Sequence, residues 1–147
     1  MSPRTRPSPE PLGRYPHRLD IPTRFADNDV YGHVNNAAYY LYFDTVVNRW
    51  LIDNELLEIG KSETIGLVVE TGCSYFSPIA FPDVIAAGLR AAHVGTSSVR
   101  YEIALFRNAE TAACAQGHFV HVYVDEKTRK PTPISDIMQK KLREISL

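Results

Sequence analysis

The chain has 147 residues, with 16 Lys and Arg against 17 Asp and Glu and 44% hydrophobic residues, the make-up of one ordinary globular domain. A formal net charge of -1 offers no broad basic face to a polyanion, which argues against nucleic-acid binding and favours a small-molecule partner. No window approaches the roughly 18 uninterrupted apolar residues of a membrane-spanning helix, so no membrane partner is expected and the cytoplasm is the default compartment.

Residues 1–15 are rich in Pro, Ser and Arg without an apolar stretch and read as a flexible tail rather than a secretory signal, which leaves residues 16–147 as a single domain. From His17 to Phe25 the chain alternates weakly and contains Pro22, as an edge strand does. The stretch ADNDVYGHVNN follows, dense in turn formers, and ends where an apolar run begins at Ala37. Asn35 or Asn36 is placed to cap a helix that runs to Ile59 and stops at Gly60. Its first half is apolar nearly all round, with Tyr39, Tyr40, Leu41, Tyr42 and Phe43 in succession, which predicts a helix wrapped on several sides.

Four β-like runs come next, from Thr64 to Pro78, Asp83 to Val94, Ser97 to Arg107 and Thr111 to Val124, with links short enough for antiparallel connections. In the third, Val99, Tyr101, Ile103 and Leu105 share one face. Ser135 then caps a short terminal helix whose apolar stripe is Ile137, Met138, Leu142 and Ile145. Cys73 and Cys114 stand apart, without the spacing of a metal knuckle or a disulfide scaffold. The order of elements predicts an α+β fold, an antiparallel sheet curled around one long central helix.

Reactive side chains concentrate in one place, from Arg24 to Asn36, directly ahead of the helix. A helix start presents unpaired N–H groups and a partial positive charge, suited to an oxygen that acquires negative charge. Asp27 and Asp29 supply carboxylates beside it, and a base or nucleophile next to such a donor is the equipment of acyl transfer. A turn-forming or capping role for either carboxylate and a hydrogen-bonded loop role for His33 are the plainer alternatives, with Asp27 favoured as structural. No further carboxylate cluster completes a metal shell around the D-x-D pair, so no metal and no cofactor are expected.

The residues Asp27-Asn28-Asp29, Gly32-His33-Val34-Asn35-Asn36 and Tyr39 resemble the hotdog-fold acyl-CoA thioesterases of the 4-hydroxybenzoyl-CoA thioesterase family, and the resemblance spans about residues 17 to 140. It implies hydrolysis of an acyl-CoA thioester, with Asp29 catalytic and the Asn36 backbone amide polarising the carbonyl. His33 is implied as an assistant by similarity to plant acyl-carrier-protein thioesterases, although Tyr31 stands where those carry Asn. Gly32, Asn35 and Tyr39 are assigned with them to substrate binding. Gly95, Thr96, Ser97 and Ser98 match the loop that takes the phosphates of coenzyme A, with an ordinary hairpin turn as the alternative.

The resemblance also implies a homodimer or homotetramer with active sites at an interface, where Gly66 and Glu70 of one chain face Asp29 of the other. Two other functions are weighed. A non-catalytic acyl-thioester binder would keep the fold and pocket. A hotdog hydratase would resemble D-x-N-P-x-H, a pattern that Asp29 and His33 do not reproduce.

Overall fold

The structure, a computed structural model, describes residues 6–147. Its strands are β1 (His17–Pro22), β2 (Thr64–Tyr75), β3 (Val84–Val94), β4 (Ser98–Arg107) and β5 (Ala115–Asp125), and its helices α1 (Ala38–Asp53) and α2 (Asp136–Glu144). The strands form one antiparallel sheet in the order β1-β3-β4-β5-β2, which leaves β1 and β2 as edges. This sheet, curled against α1, is the predicted hotdog arrangement; each β-like run holds a strand, though β2 stops at Tyr75 short of Pro78 and β5 starts at Ala115 rather than Thr111.

On β4 the inward side chains Val99, Tyr101, Ile103 and Leu105 are fully buried. They meet a stripe on α1 made of Ala38, Tyr39, Tyr42, Phe43, Val46, Val47, Trp50 and Leu51, each about one turn from the next pair. The Trp50 ring meets Tyr101 edge-on at 6.4 Å, and Phe43 meets Phe119 at 6.0 Å. Large side chains buried this way contribute roughly 1.5–3 kcal/mol each. Gly117 makes the fit possible: a Cβ there would lie 2.3 Å from the Phe43 ring.

Several expectations need correction. The helix is not wrapped on several sides, since Leu41, Asp44 and Thr45 are exposed. One curled sheet covers one stripe, and a step of about 100° per residue turns these positions away from it. The helix also ends well before Gly60. Glu55 takes a left-handed conformation at φ 59, its N–H donates to the Ile52 carbonyl and the Leu56 N–H to the Leu51 carbonyl, which together close the last turn as a Schellman motif. The apolar residues Leu56 and Leu57 that prolong the sequence pattern pack on the core from the following loop. At the other end α1 begins at Ala38 with Ala37, not Asn35 or Asn36, in the cap position and no side-chain cap; the Asn35 side chain instead accepts from the Ala37 N–H at 2.9 Å in the turn just before the helix.

A further correction concerns the tail. Residues 1–5 lie outside the described residues, but Tyr15 is buried on the outer face of the sheet, with Glu10 and Leu12 half-buried beside it. Arg90 on β3 is nearly enclosed there and needs partners. It bonds to Glu10 and Glu102, each at 2.9 Å, and its guanidinium lies 4.4 Å from the centre of the Tyr15 ring. The terminal helix is capped by Ser135 as expected, with Met138, Leu142 and Ile145 buried, while Ile137 is exposed, a step out of phase with that stripe. Among the described residues no helix is long and apolar enough to cross a membrane.

Candidate active site

The segment between β1 and α1 is built on Asp27. Its Oδ2 accepts from the Arg24 N–H at 2.9 Å and from the Tyr42 hydroxyl at 2.7 Å, and its Oδ1 accepts from the Arg24 guanidinium. Burial pushes the Asp27 carboxyl up, but these donors outweigh it and the net pKa lies below the usual carboxylate value. With both oxygens engaged, Asp27 is a structural group. Further bonds stitch the loop to the chain that follows β2: the Val34 N–H donates to the Ile79 carbonyl at 2.7 Å and the Phe81 N–H to Asn28 Oδ1 at 3.1 Å.

Asp29 is held differently. Its N–H donates to the His33 carbonyl at 2.8 Å, the Gly32 N–H returns to its own carbonyl, and its Oδ1 accepts from the Tyr31 N–H at 2.8 Å and the His33 N–H at 3.4 Å. Gly32 closes this turn at φ 79, the left-handed region where a glycine carries no Cβ penalty. One carboxylate oxygen is thus fixed by the loop. Oδ2 has no partner among the described residues.

The start of α1 presents the complementary group. The Ala38 N–H donates to the Asn35 carbonyl and the Ala37 N–H to Asn35 Oδ1, while nothing among the described residues accepts from the Asn36 N–H. A free amide at the positive end of a helix stabilises charge on an oxygen brought to it.

Asp29 and Asn36 line one cleft of about 370 Å³, together with His33, Tyr39 and Tyr75, and the run Phe76 to Pro78 forms its far wall. Tyr39 is buried, and burial raises its phenol pKa. Cys73 is the nearest thiol in sequence to Tyr75, but burial pushes it up to about 11, so it stays protonated at neutral pH and is no competing nucleophile. A larger hollow of about 740 Å³, lined by Leu57, Lys61, Ile65 and Asp125, holds none of the candidate residues.

Of the residues singled out in the sequence, Asp29, His33, Asn36 and Tyr39 come together in the cleft. Gly32 and Asn35 do not line it; they hold the turn around Asp29 and the approach to α1. Gly66 lies on β2 opposite Tyr123, and its Cα is passed closely by the His121 ring. The turn from Gly95 to Ser98 has the Gly95 N–H on the Ser98 carbonyl, while the Ser97 and Thr96 carbonyls accept from the Tyr123 and Ile134 N–H groups. These residues gather at the opposite end of the sheet, since the Gly66 to Tyr75 run of β2 spans roughly 30 Å. Within one chain they do not meet Asp29. Sequence reasoning missed Tyr75 and the Phe76 to Pro78 wall, which read only as the end of a β-like run.

Residues 23–142 match the thioesterase-like superfamily. The PA5185 protein of Pseudomonas aeruginosa strain PAO1 has a crystal structure with 46% sequence identity and a TM-score of 0.91, over 94% of this chain and 96% of that one. A thioesterase from Thermus thermophilus, crystallised with coenzyme A and Zn, is 29% identical with a TM-score of 0.74, over 88% of this chain and 93% of that one. YsmA of Bacillus subtilis (strain 168) is 25% identical over 116 residues, 79% of this chain and 78% of that protein. The match covers strands β2 to β5, α1, most of α2 and the Asp29 to Asn36 loop, and the chain belongs to the thioesterase-like superfamily.

Proposed function

We propose that this protein hydrolyses an acyl-CoA thioester to the free acid and coenzyme A. Asp29 acts as general base on a water molecule or attacks the carbonyl carbon itself, and the Asn36 amide takes the oxygen as it gains charge. By the first route, Asp29 removes a proton from water, the new C–O bond forms, the C–S bond breaks, and the thiolate leaves to be protonated. The observation that carries this reading is the pairing, in one cleft, of a carboxylate oxygen and a helix-start N–H that no other described group engages. Membership of the thioesterase-like superfamily and a coenzyme A complex of a relative support the same chemistry. His33, exposed at the cleft, is the proposed assistant to the Asn36 amide.

A homodimer completes the site in this reading. β2 is an edge strand with exposed Leu67, Val68 and Val69, a surface that isolated chains keep covered. Antiparallel pairing of two copies of β2 about its middle would bring the Gly66 end of one copy beside the Tyr75 end of the other. The Gly95 to Ser98 turn would then approach the cleft as the phosphate-binding loop.

The test is thiol release from short, medium, long and aromatic acyl-CoA compounds, run beside Asp29→Asn. The variant is expected to lose about 10²–10⁴-fold in kcat with an unchanged melting temperature. Full turnover by Asp29→Asn overturns the reading, and acyl-CoA binding without hydrolysis over hours replaces it with a binding module.

A further inference from the structure

We propose that Tyr75 is a positioning residue for the carbonyl-polarising amide, acting through its hydrogen bond to the Asn36 backbone; the inference rests on the thioesterase reading above. The Tyr75 hydroxyl donates to the Asn36 carbonyl at 2.9 Å, a contact between residues 39 positions apart in the chain.

That carbonyl has lost its usual helical partner. The first turn of α1 is tight: the Ala38 N–H goes to the Asn35 carbonyl and the Tyr40 N–H to the Ala37 carbonyl, and among the described residues no backbone N–H donates to Asn36. The phenol supplies the missing donor. The peptide after Asn36 is thereby pinned at both ends, its carbonyl by Tyr75 and its Ala37 N–H by Asn35 Oδ1 at 2.9 Å. The peptide before Asn36 is fixed in turn, because the Asn35 carbonyl accepts from Ala38 and the Asn35 N–H donates to the Asp27 carbonyl. With both flanking peptides anchored, the Asn36 N–H is held in one orientation at a residue that lines the cleft.

Tyr75 can act as an anchor because its own position does not depend on the loop. It is the last residue of β2, in register with Ala115, and the Phe76 and Ser77 N–H groups both donate to the Cys114 carbonyl just beyond it. Its ring meets the buried Tyr39 ring edge-on at 4.9 Å. Burial raises the phenol pKa well above its ordinary value, which keeps the hydroxyl a donor throughout the working range. The sheet thus supports the first turn of the helix at the point where charge would develop, and small errors in such placement are expensive in rate.

Tyr75→Phe keeps the ring and its contact with Tyr39 and removes only the donor. The expected result is a kcat about 10-fold to 100-fold lower, with KM and the Kd of a non-hydrolysable acyl-CoA thioether within about twofold of the parent. The pH–rate profile should keep its shape, since Tyr75 moves no proton. An unchanged kcat in Tyr75→Phe beside an inactive Asp29→Asn overturns this inference and leaves the thioesterase reading standing. A rise in KM and Kd matching the fall in kcat/KM, or a lost inflection in the pH profile, also overturns it, in favour of a substrate wall or a general acid. Absence of thiol release from the parent chain overturns both readings.

Discussion

The Tyr42 hydroxyl donates to Oδ2 of Asp27 over 2.7 Å, and this bond separates two carboxylates that the sequence presents as near equivalents. Tyr42 lies in the buried stripe of α1, so it commits Asp27 to the core, while Asp29, just beyond on the turn, keeps an oxygen free at the cleft. Tyr42→Phe should lower stability by about 1–3 kcal/mol, measured by chemical denaturation at pH 7. The pH sign follows from the depressed pKa. The Asp27 contribution is present above the unfolded value of 3.8 and is lost as pH falls through the lower folded value, so Tyr42→Phe should unfold at a higher pH on acid titration. An unaltered acid midpoint would count against the bond.

His121 makes acid destabilising as well, in a higher pH window than Asp27. Only 4% of it is exposed, neither ring nitrogen has a partner among the described residues, and its ring stacks on Phe119. Burial lowers its pKa from 6.5 to about 4. Between those values the unfolded chain binds a proton that the folded one refuses, so stability falls as pH drops from 6.5 toward 4. His121→Phe keeps a flat ring and removes the titration. Its melting temperature should change less between pH 7.5 and 5 than that of the parent, and an equal slope in both would disprove the assignment.

Gly117 is the tightest point of the packing between helix and sheet. A Cβ there meets Phe43 Cε2 at 2.3 Å and, more seriously, the Gly72 carbonyl oxygen at 2.6 Å. Backbone cannot step aside as a side chain can, so Gly117→Ala is expected to cost about 1–3 kcal/mol or more in urea denaturation. Gly13→Ala, where a Cβ meets nothing within 4 Å, is the matched control and should stay within about 0.5 kcal/mol of the parent.

The β2 edge tests the proposed assembly. Val69 sits at the break in register between Val68 and Glu70 and is 61% exposed, so a lysine there strains nothing within one chain. If two copies of β2 pair about this point, Val69→Lys sets like charges close together across the interface. Sedimentation should then shift toward the monomer, with thiol release falling in proportion. A monomeric variant with full activity would show that one chain suffices.

Residues close together in the chain decided most of what the sequence made legible. The strand from Ser98 to Arg107 announces itself by alternation, the turn before α1 by its Asn, Asp and Gly content, and α2 by Ser135, because pleat, turn geometry and capping are all set within a few residues. The grouping of Asp29, His33, Asn36 and Tyr39 was legible for the same reason, since one loop and the first turn of one helix carry all four. The tertiary structure alone decided the rest. The end of α1 at Asp53 depends on where Leu56 can pack, and the docking of Glu10 and Tyr15 depends on an arginine brought from β3. Tyr75 reaches Asn36 across 39 residues, and no local pattern encodes a contact made only when the sheet has closed over the helix. Conformational preferences act along the chain, whereas the geometry of the cleft comes from packing between segments that the chain separates.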